Sequence, residues 1–252
     1  MKNYENILIV GGDSRQKHLA WLLTNDFNVY TLGLRFDSQT SQNAHMLSSY
    51  KDVCEHMDYI ILPMPVTTDN ICINSLFSKT PIHIDDVLSI ADANTHVLGG
   101  KIDGSVAQKL AQKNLSYTDY LKREELAVMN AIPTAEGALG IAMQETATTI
   151  FGTKCLIVGY GRISKVLSRL LLSMGAKVTI SARNYKDLAW IRASGATAIE
   201  TEKIVDVIAS QALVFNTVPA QILGEDVLRR VEKDCVLIDL ASKPGGIDFE
   251  IA

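Results

Sequence analysis

The stretch that decides the fold is Cys155-Leu156-Ile157-Val158-Gly159-Tyr160-Gly161-Arg162-Ile163-Ser164. Four apolar residues in a row predict a strand covered on both faces. Gly159 and Gly161 predict a tight turn, and the residues through Met174 predict a helix that Gly175 ends. This is the G-x-G-x-x-G arrangement with Ser164 at its third position. The first glycine permits the turn, and the second lets a pyrophosphate approach the backbone. The third sets how closely helix and strand pack. A pyrophosphate would sit on the free N–H groups that open the helix, beside Tyr160, Arg162 and Ile163. Glycines in this spacing are a weak signal alone. Placed between a buried strand and a helix, they argue for dinucleotide binding.

Reading on toward the C-terminus, strands are predicted at 177–181, 197–199, 213–215 and 236–240, with helices at 188–194, 204–209 and 223–231. Five strands in βα order give a Rossmann-type parallel sheet over residues 152–252. Residues 247–251 can only begin a sixth strand, so the domain is expected to stop short of its C-terminal end. An NAD-type ribose site wants an acid at the end of the second strand. Here stand Ser181, Arg183 and Asn184, with Lys186 close by. Arg183 and Lys186 suit a 2′-phosphate, with Ser181 as hydroxyl donor, so the expected cofactor is NADP(H). Asn216-Thr217-Val218-Pro219 and Asp239-Leu240-Ala241 end the fourth and fifth strands at the carboxyl edge. The former can touch ribose hydroxyls or the nicotinamide side; backbone near Leu240 or Ala241 can hold the carboxamide.

Reading toward the N-terminus, residues 134–151 predict a linker helix, with Glu136 as a first-turn carboxylate. Residues 1–133 alternate strand and helix and form a second α/β domain. The fold class is therefore α/β, with two parallel-sheet domains. The first domain opens Ile7-Leu8-Ile9-Val10-Gly11-Gly12-Asp13-Ser14-Arg15, and Asp13 would repel a pyrophosphate. It reads as a substrate domain. Arg15, near a helix start, suits a carboxylate clamp. Thr67 follows the turn at Pro63 and Pro65 and offers a hydroxyl to a polar ligand.

Composition closes off other classes. The 252 residues carry 24 Lys+Arg against 28 Asp+Glu, a formal charge of -4, so no basic field exists to hold nucleic acid. The four cysteines lack metal-ligand spacing and read as reduced, mostly buried hydrophobes. No leader or membrane-length apolar run is read, which makes the cytoplasm the expected location. All five histidines lie at or before residue 96. The cofactor half thus offers no imidazole for alcohol–ketone chemistry.

Gly11-Gly12-Asp13-Ser14-Arg15-Gln16, Ile61-Leu62-Pro63, Asn130 through Gly137, Gly159-Tyr160-Gly161-Arg162 and Asp239 through Gly246 occur in this order. Together they resemble the dipicolinate synthase A-subunit family over the whole chain. The resemblance implies a sporulation enzyme of the mother cell that forms dipicolinate, pyridine-2,6-dicarboxylate, from a dihydrodipicolinate-type precursor with NADP(H). It also implies a flavoprotein-like partner, the synthase's B-subunit. The family's chains run several tens of residues longer, with a last strand and a returning helix. Two substrate carboxylates call for cations, and Arg15 and Lys243 are the candidates, expected to face each other across a cleft. Glu136 either takes the proton or caps its helix; Asp13 either orients Arg15 or is the base. A homo-oligomer is compatible with this reading. The alternatives are another NADP-dependent two-domain dehydrogenase or reductase, and a nucleotide-binding regulatory protein without turnover.

Overall fold

The computed structural model describes residues 4–36, 44–242, 245–249 and 251. The chain divides into two compact units, Met1–Leu126 and Ala127–Ala252.

The first unit runs β1 (Asn6–Val10), α1 (Ser14–Leu23), β2 (Asn28–Leu32), β3 (Ala44–Leu47), β4 (Tyr59–Ile61), α2 (Ile84–Leu88), β5 (His96–Gly99), α3 (Gly104–Gln112) and β6 (Ser116–Asp119). All pairings are parallel, in the order β3-β2-β1-β4-β5-β6. β1 sits centrally, so Leu8, Ile9 and Val10 are wholly buried. One core lies under Leu8, Val10, Ile60 and Val97, and a second under Ile7, Ile9 and Val29 on the other face. Two strands lack a pattern that would predict them. β3 is an edge strand without a fully buried residue, and β6 reads Ser-Tyr-Thr-Asp. Residues 82–84 add no strand to this sheet: His83 forms an isolated bridge with Cys72, and Ile84 opens α2.

α4 (Glu124–Glu145) begins at the end of this unit and continues into the next. The helix predicted over 134–151 thus starts ten residues earlier and ends at Glu145. The reason is Pro133. A proline inside a helix removes one hydrogen bond and costs about 3 kcal/mol, which argues for a boundary. Here the helix carries it through. Thr134 is no cap either, because its Oγ1 bonds back to Asn130 O at 2.8 Å. Glu136 accordingly stands mid-helix and exposed, and its first-turn capping role is withdrawn. By length and a mean hydropathy of 1.3 alone α4 is long and apolar enough to cross a membrane, although Asn130, Thr134 and Glu136 interrupt its apolar run. Its Ala131, Ala135, Ala138 and Ala142 are buried, and the last three join the second unit's core.

The second unit continues β7 (Lys154–Val158), α5 (Arg162–Ser173), β8 (Lys177–Ala182), α6 (Tyr185–Ala193), β9 (Thr197–Glu200), α7 (Ile204–Val207), β10 (Leu213–Asn216), α8 (Glu225–Leu228) and β11 (Val236–Asp239). The parallel order β11-β10-β7-β8-β9 reverses direction at β7. Such a switch point opens a crevice at the carboxyl ends of the strands. α4, α5 and α6 share the core on one face, and α7 and α8 cover the other. The four cysteines are free, but only Cys155 is buried, with its thiol pushed up to about 12 by desolvation.

Candidate nucleotide and anion sites at the two sheet edges

At the end of β7 the chain turns through Gly159, whose φ is +91°. A Cβ there would stand 2.5 Å from Val218 Cγ2, so only glycine fits between the β7 and β10 ends. Its N–H donates to Ser181 O at 3.1 Å. Gly161 differs. It is the N-cap of α5 with no side-chain cap, and a Cβ built on it meets nothing within 4 Å. The space beside the glycine is therefore open where a twelve-residue helix begins, and the first turn of that helix holds no acid. Ser164 is fully buried, as close helix–strand packing requires. These features fit a dinucleotide pyrophosphate.

The loop borders a cavity of about 310 Å³. Gly159, Tyr160 and Gly161 line it from one side, Arg183 and Asn184 from the end of β8, and Thr217, Val218 and Pro219 from the end of β10. Size does not select this site, because a cavity of about 500 Å³ lies by Lys154 and Lys177 at the opposite ends of the strands. Four further residues line it that sequence reasoning does not assign to the site: Ala182, Asp187, Thr201 and Ile222. Asp187 is the first acid after the second strand, but it stands five residues past the end of β8, too far along the chain to be assigned the ribose from the sequence.

Several expected ligand contacts turn out to be structural. Ser181 is fully buried, with its Oγ accepting from Gly159 N at 3.4 Å, and this burial keeps its hydroxyl away from a phosphate in the cavity. Asn216 is also fully buried. Its Nδ2 donates to Val218 O at 3.0 Å and Asp239 Oδ1 at 2.8 Å, and its Oδ1 accepts from Val218 N. Asp239 binds its own loop, accepting from Ala241 N, Gly246 N and Ile247 N. Burial alone would raise its pKa, but these bonds and Asn216 outweigh it and hold the carboxyl below the usual range. Leu240 N donates to Asn216 O, so only the carbonyls of Leu240 and Ala241 stay available to a carboxamide. Lys186, Arg162 and Ile163 do not line the cavity. Asn184 caps α6: its Oδ1 accepts from Asp187 N and its Nδ2 donates to Asp187 Oδ2, both at 2.8 Å. The Asp187 carboxylate is thus engaged, and Arg183 is the cation of this wall.

The first unit builds a different edge. Gly11 and Gly12 have φ of +62° and +93°, and their N–H groups donate to Leu32 O and Asn74 O, each at 2.8 Å. Asp13 then caps α1 in a capping box with Gln16. Glycine amides so engaged and a carboxylate on the helix end leave no place for a pyrophosphate. Arg15 Nε and Nη2 grip both Asp13 oxygens at 2.7–3.1 Å, and Nη2 donates to Met64 O at 3.1 Å. The Arg15 side-chain bond is the main cause of an Asp13 pKa below its ordinary value. Asp13 is therefore built to orient Arg15 and makes a poor base. Nη1 has no partner among the described residues. Tyr120, past the end of β6, escapes the sequence reading along with that strand. Its hydroxyl donates to Leu62 O at 3.0 Å, and burial pushes its phenol up to about 12. Thr67 Oγ1 donates to Asp69 Oδ1 and accepts from Asn70 N, each at 3.0 Å, so it is a turn residue. Lys243 lies outside the described residues.

Two parallel-sheet α/β domains, the second with a glycine loop at its switch point, define a two-domain NAD(P)-linked protein of the oxidoreductase kind. Residues 147–251 match a family model of NAD(P)-binding domains, and residues 6–121 match the dipicolinate synthase A-subunit N-terminal domain. The dipicolinate synthase A-subunit of Bacillus subtilis (strain 168) is 29% identical over 248 residues, 98% of this chain and 84% of that protein. Its crystal structure, from Bacillus subtilis, has a TM-score of 0.87 at 28% identity, covering 100% of this chain and 85% of that one. The A-subunit from Bacillus halodurans gives 0.88 at 28% identity, covering 98% and 86%. A transhydrogenase from Sinorhizobium meliloti, 14% identical with a TM-score of 0.68 over 96% and 80%, shares the fold alone. The chain is a homologue of the dipicolinate synthase A-subunit.

Proposed function

We propose that the chain is the oxidoreductase component that forms dipicolinate from a dihydrodipicolinate-type precursor with NADP, in the cytoplasm of a sporulating mother cell. The observation that carries the reading is homology along the whole chain to the dipicolinate synthase A-subunit, joined to a glycine loop shaped for a dinucleotide. Gly159 and Gly161 hold the pyrophosphate on the α5 N-terminus, and Arg183 meets the 2′-phosphate. When bound, the nicotinamide supplies the hydride acceptor. The ring loses one hydride and one proton and becomes aromatic. Arg15, held in place by Asp13 and Met64 O, has Nη1 to give to one substrate carboxylate. A planar guanidinium suits a planar carboxylate better than a lysine does. Homology to one component of a multi-subunit synthase supports a protein partner, which we take to be the flavoprotein-like B-subunit.

The test is reconstitution with the partner protein and the precursor, scanned in the ultraviolet. An aromatic dicarboxylate appearing only with NADP supports the reading. A different reduced or oxidised product points to another dehydrogenase of this build. Nucleotide binding without any turnover points to a regulatory role.

A further inference from the structure

Three non-glycine residues among those described have a positive φ: Asn70, Asn114 and Lys101, the last at +64°. Asparagine visits this region because its short side chain can bond the local backbone; lysine has no such compensation. A non-glycine residue kept there costs stability, and such outliers cluster where ligands bind.

Lys101 follows β5 at the carboxyl edge of the first unit's sheet, the edge that also carries Arg15 after β1. Its backbone is fixed on both sides. Asp119 Oδ1 accepts from Lys101 N at 3.0 Å, and Asp119 Oδ2 accepts from Ile102 N at 3.1 Å. Gly100 N donates to Pro63 O at 3.2 Å, and Gly100 O accepts from Val66 N at 3.0 Å. A Cβ built on Gly100 would stand 2.6 Å from Met64 Cβ and 2.7 Å from Tyr120 Cε2. The turn therefore lies against Met64, whose carbonyl accepts from Arg15 Nη2. One residue, Met64, thus joins the Arg15 guanidinium to the turn that carries Lys101. Lys101 is exposed, and its ammonium has no ion-pair partner among the described residues.

We propose that Lys101 binds the second carboxylate of the substrate while Arg15 holds the first. The inference rests on the function proposed above, which gives the substrate two carboxylates. The planar fork of Arg15 suits one of them, and a lysine point charge meets the other. Asp119 supplies the fixed mount: it pins the left-handed turn, so only the lysine side chain is left to order on binding. A selectivity follows. A pyridine with one carboxylate satisfies Arg15 and leaves Lys101 unpaired, so this edge prefers the 2,6-diacid to the 2-monoacid.

Calorimetric titration of the full chain at saturating NADPH, with dipicolinate and with pyridine-2-carboxylate, tests this. The wild type should bind dipicolinate at least about tenfold tighter, the low end for one charge-assisted hydrogen bond. Lys101→Met keeps the unbranched stem and the thermal stability. It should weaken dipicolinate until the two affinities meet, and leave the monoacid unchanged. Lys101→Arg should retain the preference, and so should Lys122→Met, which removes another exposed lysine past the end of β6. A Lys101→Met protein that keeps the wild-type preference would overturn the assignment, as would a Lys122→Met or Lys243→Met protein that loses it in its place. A wild type that binds neither acid would instead remove the proposed function, and this assignment with it.

Discussion

Gly161→Val isolates the nucleotide site from the fold. Gly161 has φ -86°, which valine can adopt, and its Cβ position is open, so no side chain must move. The structural cost is confined to the helix N-cap, where glycine is preferred over valine by about 1 kcal/mol. The binding cost is larger, because the branched side chain fills the space through which the pyrophosphate reaches the α5 amides. Losing two charge-assisted hydrogen bonds at about 1.5–3 kcal/mol each removes about 3–6 kcal/mol. Affinity for NADPH should then fall by about two to four orders of magnitude. Calorimetric titration measures it, with far-ultraviolet circular dichroism and thermal unfolding as controls for the fold. A folded mutant that binds NADPH as the wild type does would refute the assignment of this loop.

Arg183→Ala should weaken NADPH by about 10- to 150-fold, the value of one charge-assisted hydrogen bond, and NADH far less; equal wild-type affinities for the two nucleotides would sink this idea. Arg15→Lys should lower kcat/KM for the precursor about tenfold or more through loss of the planar fork, with NADPH affinity unchanged. If turnover and apparent substrate affinity stay at wild-type levels, Arg15 is only the partner of Asp13. Asp239 has its folded-state pKa depressed, so the stability it contributes is complete above its unfolded value near pH 4. That contribution is lost as pH falls through the lower folded value. Acid-unfolding curves of the wild type and Asp239→Asn should therefore converge at low pH and separate above about pH 4, and a constant gap across that range would contradict the hydrogen-bonded knot.

The cofactor half is largely legible in the sequence because its signals are local. A run of four buried apolar residues and a glycine turn depend on near neighbours, and all five predicted strands form in parallel. What fails is the assignment of side chains. Ser181 and Asn216 stand at strand ends where ligands usually bind, yet both are consumed by the backbone of an adjacent strand or loop. Partners 22 residues away, or across a turn, are invisible to a reading that follows the chain. In the first domain β6 stays hidden and Tyr120 with it, since Ser-Tyr-Thr-Asp on an edge has no apolar alternation to betray it. Pro133 misleads for the opposite reason: its local cost is real, but the alanine face of α4, buried in the core, overrides it.

In the proposed function, hydride removed from the precursor ring passes to a nicotinamide held at the Gly159–Gly161 loop. The most direct measurement is stoichiometric. The reconstituted enzyme, given precursor and NADP, is followed at once for nicotinamide reduction and for the ultraviolet absorbance of dipicolinate. Equal molar amounts of reduced nicotinamide and aromatic product are expected, with both abolished by Gly161→Val. Dipicolinate formed without nicotinamide reduction, or at undiminished rate by that mutant, would contradict it.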